Sequence, residues 1–220
     1  PTDFEARTSS EVACGDGKDN DCDGVVDEKT RPRKLGQTCS ADCQCTTGLC
    51  QSGTCSHVVF VTSTTTDGAM GGMTGGDAKC NNLASSAGLA GSFRAILSSS
   101  NVSARTRLVI GAGIYETDGT KVAGGKGDLW DGSLDSSIDT DESGNTVASP
   151  TEVWTGSNTD GTTKTSILDD PNCKNWTSLR SGQGATRAQV GDTTLTGPGW
   201  ISLDTRSCSD QRRVYCLNGQ

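Results

Sequence analysis

Eleven cysteines divide this 220-residue chain unevenly: seven fall between Cys14 and Cys55, and only Cys80, Cys173, Cys208 and Cys216 lie in the rest. Dense cross-links belong to segments too short to bury a core, and sparse ones to a domain that folds around its own apolar interior. The division predicts two units, residues 1–56 and 57–220. Thiols this numerous point to an oxidising compartment and to a secreted or surface-displayed protein, because no Cys-x-x-Cys pair sits beside a βαβ pattern. An odd count also leaves one thiol over in a monomer.

Charge and hydropathy narrow the partners. The net charge of −8 is shared between residues 1–56, with ten acids and six bases, and the rest, with seventeen acids and thirteen bases. That balance argues against a nucleic-acid partner and favours cations or neutral polymers. No run of eighteen apolar residues appears, so no membrane-spanning helix is expected. Twenty-nine glycines and 4% aromatic residues predict a loop-rich fold with a thin core, in which disulfides and metal contribute to stability.

Within the first unit, Cys14 to Glu28 places Asp19, Asp21, Asp23 and Asp27 at alternate or near-alternate positions around Gly24, with the Val25 carbonyl next. Oxygen ligands in that rhythm, with a glycine at the sharp turn, suit a hard cation of six to eight ligands, and Ca2+ is the natural occupant. Thr30 stands where an EF-hand loop would carry its last glutamate, so Glu28 or Asp16 is the candidate replacement ligand. Six carboxylates within thirteen residues would repel one another without a cation. The segment resembles the calcium loops of thrombospondin type 3 repeats and, more closely, a short metal-binding repeat of bacterial surface proteins. That resemblance implies a loop stapled by Cys14 and Cys22, with calcium in a structural role.

Residues 36–55 follow, with Cys39, Cys45, Cys50 and Cys55 separated by five, four and four residues. The spacing is similar to small EGF-like knots, two bridges holding a stretch too short for a core. Either Cys43 or Cys45 is then the extra thiol, available for self-assembly, since connectivity cannot be deduced from spacing.

The pattern changes at Val58-Val-Phe-Val61, a β-branched and aromatic run that reads as a buried strand. Asp77 to Ala87 reads as a helix carrying Cys80, with Asp77 in its first turn and Gly88 at its C-terminal end. Six acids, Asp128, Asp131, Asp135, Asp139, Asp141 and Glu142, then occur without a base between them. Two readings stand for that loop: a second calcium site with Trp130 and Trp154 stacking on a sugar ring, or a solvated acidic loop with both tryptophans in the core. Asp169-Asp-Pro-Asn172 before Cys173, and Asn175-Trp-Thr177, make Asn172 and Asn175 candidate ligand contacts, although Pro-Asn before a cysteine also reads as a plain turn.

Several separated motifs carry a further resemblance. Gly71-Gly-Met73, Gly76-Asp-Ala78, Cys80, Ala87 to Ser99, Val153-Trp-Thr-Gly-Ser157, Cys173-Lys-Asn-Trp-Thr177, and Cys208 through Val214-Tyr-Cys216 resemble endostatin in order. Endostatin-like domains are a branch of the C-type-lectin-like fold, and the resemblance spans about residues 57 to 218. It implies an α+β domain: two helices on twisted, mostly antiparallel strands, with a long, weakly structured loop region. It also implies nested bridges, Cys80 to Cys216 and Cys173 to Cys208. Zinc is not carried over, because the chain has one histidine, His57. Nor is heparin affinity, because Arg94, Arg105, Arg107, Arg206, Arg212 and Arg213 sit in a net-acidic domain.

Nucleophile, base and paired-carboxylate arrangements are missing from the pattern, since His57 stands beside no nucleophile motif and nothing selects two acids. The chain is therefore expected to be a non-enzymatic recognition or adhesion protein for an extracellular glycan or surface protein. A structural subunit of an appendage or surface layer is the alternative.

Overall fold

In the computed structural model, the described residues are 33–166, 171–179 and 187–219, so the calcium loop at 14–28, with Cys14 and Cys22, lies outside them. The described chain is mixed α+β, mostly sheet with few helices.

Strands β1 (Cys50–Gln51) and β2 (Thr54–Cys55) form a small hairpin. Its two-residue loop has Ser52 and Gly53 both at positive φ, 50° and 74°, the left-handed pair whose twist matches a tight hairpin. Bonds Cys39–Cys50 and Cys45–Cys55 cross-link this knot. Cys43 is disulfide-bonded as well. The expectation that Cys43 or Cys45 is the odd thiol is therefore corrected, and self-assembly through either loses its basis.

The main sheet contains β3 (His57–Val61), β4 (Phe93–Ala95), β5 (Ile114–Glu116), β6 (Lys121–Ala123), β7 (Glu152–Trp154), β8 (Arg187–Asp192), β9 (Asp204–Ser207) and β10 (Arg213–Asn218). Its order is β6-β5-β3-β10-β7-β8-β9, with β4 also on β10. The β3–β5 and β10–β7 pairs are parallel, and the others antiparallel. First and last strands of the domain are thus neighbours, Val59 opposite Leu217 and Val61 opposite Tyr215.

Every residue of β3 and of β10 is buried. Both faces of the central strands are covered, which explains an unbroken apolar run rather than an alternating one. Val59, Val61, Tyr215 and Leu217 face one core with Leu108, Leu129, Ile138 and Trp200. Val58, Phe60, Val214 and Cys216 face the other with Cys80, Phe93, Trp154 and Trp176. Helix α1 (Gly72–Ser86) covers the second face, and the long segment between β4 and β7 covers the first.

The remaining α-helical segments, α2 (Ala104–Arg107), α3 (Lys126–Leu129) and α4 (Cys173–Trp176), are single turns, so among the described residues one substantial helix stands where the resemblance implied two. Helix α1 starts five residues before Asp77. Glycine and threonine are poor helix formers, but tertiary packing overrides them here: a Cβ on Gly76 would lie 2.9 Å from Leu97 and 3.2 Å from Ala95. Asp77 accordingly sits inside the helix, where it pairs with Arg107 at 2.5 Å and accepts from the Ala95 N–H. Gly88, at φ 74°, ends the helix in the left-handed region as expected.

The bonds Cys80–Cys216 and Cys173–Cys208 are both present, the first joining α1 to the last strand. The knot docks at the end of β10: Asn218 donates Nδ2 to the Thr47 carbonyl, and the Ser56 amide donates to Leu49.

Candidate ligand-binding cleft

One edge of β10 is shared by two strands. β7 runs parallel to it along Arg213 and Val214, while β4 runs antiparallel along Cys216 to Asn218. Two chains advancing head-on along a single edge cannot both continue, so each leaves the sheet. They meet where the Ser98 amide donates to the Thr155 carbonyl at 2.8 Å and the Ser98 and Ser157 hydroxyls bond at 2.7 Å. Gly156, at φ 62°, makes the close crossing possible, since a Cβ there would lie 2.7 Å from the Ser98 carbonyl and 2.8 Å from the Trp176 ring.

Beside this fork lies a cleft of about 540 Å³, lined by residues 163–166, by Pro171, Asn172, Lys174 and Asn175, and by Ser100. That volume is within the range of sites for small ligands or single sugar residues. Its lining carries amide, hydroxyl and lysine side chains together with Pro171.

The wall at Cys173–Trp176 has an uncommon backbone. Four successive non-glycine residues, Cys173, Lys174, Asn175 and Trp176, have φ of 50°, 51°, 59° and 65°. A left-handed turn brings each L-residue's Cβ against the following carbonyl, at about 1–2 kcal/mol per residue. Several contacts hold it. Asn172 accepts the Asn175 amide at 3.0 Å, Asn175 accepts the Ser100 amide at 2.7 Å, and the Trp176 indole donates to the Ser98 carbonyl at 2.9 Å. Covalently, Cys173 is tied to Cys208, a bond across 35 residues worth roughly 3–4 kcal/mol on the chain-entropy model. Gly68 packs on that bond, where a Cβ would fall 2.3 Å from the Cys173 sulfur. Strain held by a well-braced frame is characteristic of sites that must keep one shape.

Of the four candidate ligand contacts, the structure brings Asn172 and Asn175 together in the cleft and removes the tryptophans from any surface. Trp130 is 4% exposed and stacks on Trp200 at 6.0 Å. Trp154 is fully buried, donates its indole N–H to the Thr66 carbonyl and lies 6.1 Å from Trp176. Neither can stack on a sugar, and the core reading of both is the one observed.

The acidic loop does not converge either. Asp128 accepts the Gly124 amide, Asp131 caps Ser133, and Asp135 pairs with Lys121 at 2.8 Å. Asp139 accepts from Ser137, Asp141 accepts from the Ser143 and Asn145 amides, and Glu142 accepts from Ser63. Each carboxylate is engaged by its own neighbours, and among the described residues no three carboxylates come together as ligands. The sulfurs of Cys39, Cys45 and Cys55 do come within 4.8 Å of one another, but each belongs to a disulfide and offers no thiolate.

Of Arg94, Arg105, Arg107, Arg206, Arg212 and Arg213, Arg105 is exposed and the other five are engaged within the fold. Arg206 and Arg212 share Glu152 at 2.5 and 2.7 Å, Arg107 holds Asp77, and Arg94 donates to the Arg107 carbonyl. Arg213 is buried and donates to the backbone carbonyls of Thr62, Ser63, Ala148 and Pro150. His57 is fully buried as well. Its Nδ1 donates to the Asn218 carbonyl at 2.7 Å and its Nε2 accepts the Gly111 amide at 3.2 Å, which fixes the tautomer. Burial pushes the imidazole below its ordinary range.

Residues 163–166 carried no sequence motif, and Lys174 entered only as part of the Cys173-Lys-Asn-Trp-Thr177 resemblance, with no ligand role read for it. The Pro-Asn turn before Cys173 and the Asn175-Trp-Thr177 stretch after it were the signals pointing to this region. No family model and no curated protein matches the chain.

Proposed function

We propose that the chain is a non-enzymatic extracellular recognition module of the endostatin-like, C-type-lectin-like type, and that the fork cleft is where it contacts a glycan or a protein surface. The observation that carries this reading is a preformed cleft with amide, hydroxyl and lysine groups in its lining, whose lip is a braced left-handed turn. Rigid, prepaid shape favours binding because little ordering is left to do on association. The antiparallel closure of β3 on β10 and the two nested bridges support the fold assignment. With both ring nitrogens of His57 engaged inside the core, the chain's one histidine is a structural group rather than a base.

Calcium, in this account, belongs to the acidic segment 14–28 and stabilises rather than recognises. A surface-layer subunit joined through Cys43 or Cys45 has lost its cross-link, since both are bonded. The test is a glycan and matrix-protein array probed with the whole chain and with Lys164→Ala and Asn175→Ala. Signals that fall in both variants support the cleft; signals that survive both place recognition elsewhere.

A further inference from the structure

We propose that the Cys173–Cys208 bond is a redox latch for the cleft: with the bond formed the lip is held left-handed, and with it reduced the lip is released while the sheet stays folded. The ligand consequence rests on the reading of the cleft given above; the structural consequence does not.

The argument begins with position. Cys173 is the first residue of the left-handed run, and its partner Cys208 directly follows β9, so one covalent bond spans from the sheet to the strained turn. None of the four residues is glycine, and only Asn175 is of a type that visits this conformation readily. Without the bond, four unfavourable backbone conformations are opposed by hydrogen bonds, among them those of Asn172, Ser100 and Trp176, and by the buried Trp176 ring, with no covalent tie from the turn to the sheet. The rest of the domain is differently secured. Cys80–Cys216 ties α1 to β10, and β10 lies between β3 on one edge and β7 and β4 on the other. Loss of the latch therefore has a local route to relaxation. Asn175 also moves with the lip, and with it the amide that accepts from Ser100 in the cleft wall.

The chemical step is thiol–disulfide exchange with a small dithiol. The Cys173–Cys208 S–S bond breaks, two protein thiols form, and the dithiol closes to its own disulfide, so two electrons pass from reagent to protein.

Hydrogen exchange read by mass spectrometry tests it on the whole chain. In the Cys173→Ser/Cys208→Ser variant, the amides of Trp176 and Thr177, bonded to the Asn172 and Cys173 carbonyls, should exchange about 100-fold faster, with β3 and β10 unchanged. Should that variant fail to fold, wild-type protein is titrated with dithiothreitol, and the species whose opened bond maps to Cys173–Cys208 by alkylation is compared with the oxidised form. Unchanged protection at Trp176 and Thr177 in the species lacking the bond overturns the latch, whether or not the cleft binds anything. Binding on the array that is lost in Asn175→Ala yet retained without the bond overturns the ligand consequence alone.

Discussion

His57 and Asn218, 161 residues apart, are joined by a 2.7 Å hydrogen bond from the imidazole Nδ1 to the backbone carbonyl, so the first strand of the domain is fastened to its last by the chain's one histidine. On the other side of the ring, Nε2 faces the Gly111 N–H. A proton on Nε2 would set donor against donor in a site without water access. Burial accordingly lowers the folded pKa below 6.5. As pH falls, the unfolded chain takes up the proton first, so stability is whole above about 6.5 and is lost below it, toward the folded value. Melting temperature should therefore decline between about pH 7 and 5.5, before most carboxylates titrate. In His57→Asn the overall melting temperature drops, but that decline should flatten. An unchanged decline would assign it to other groups.

Arg213 predicts a larger effect. Its guanidinium reaches Thr62 and Ser63 after β3 and Ala148 and Pro150 at the end of the loop layer, with no carboxylate among these partners. Arg213→Met strands several buried carbonyls and should cost about 3 kcal/mol by urea unfolding. Arg213→Lys should recover only part of that, because a compact ammonium cannot reach the Thr62–Ser63 and Ala148–Pro150 carbonyls at once.

Trp130 separates the two readings of the acidic loop by stability. As a buried ring stacked on Trp200, it should lose about 3–5 kcal/mol on truncation to alanine. A sugar-stacking tryptophan would instead lose binding at nearly unchanged stability.

For calcium the prediction concerns residues 14–28. EGTA should lower the melting temperature, and Asp21→Ala should remove most of that response, since stabilisation by a bound ion follows its occupancy. Melting indifferent to EGTA would remove calcium from the account.

Some of this architecture was legible in the chain. Val58-Val-Phe-Val61 announced a strand buried on both faces, and the motif order implied the bonds Cys80–Cys216 and Cys173–Cys208. The start of α1 was not, because Gly75 and Gly76 fit close approaches, Gly75 to the Met70 carbonyl and Gly76 to Ala95 and Leu97, rather than helix propensity. Carboxylates at Asp128 to Asp141 looked like ligands because their partners, Lys121 and the backbone amides of tight turns, come from tertiary geometry. The lip at Cys173–Trp176 was illegible for a sharper reason: left-handed backbone is signalled by glycine, and this turn contains none.

The most direct test of the central claim is an array of glycans and extracellular matrix proteins probed with the whole chain, with Lys164→Ala, and with each in calcium and in EGTA. The account predicts a bound ligand whose signal falls in Lys164→Ala at unchanged melting temperature and persists in EGTA. A signal equally strong in Lys164→Ala and wild type, or one abolished by EGTA while the fold remains intact, would contradict it.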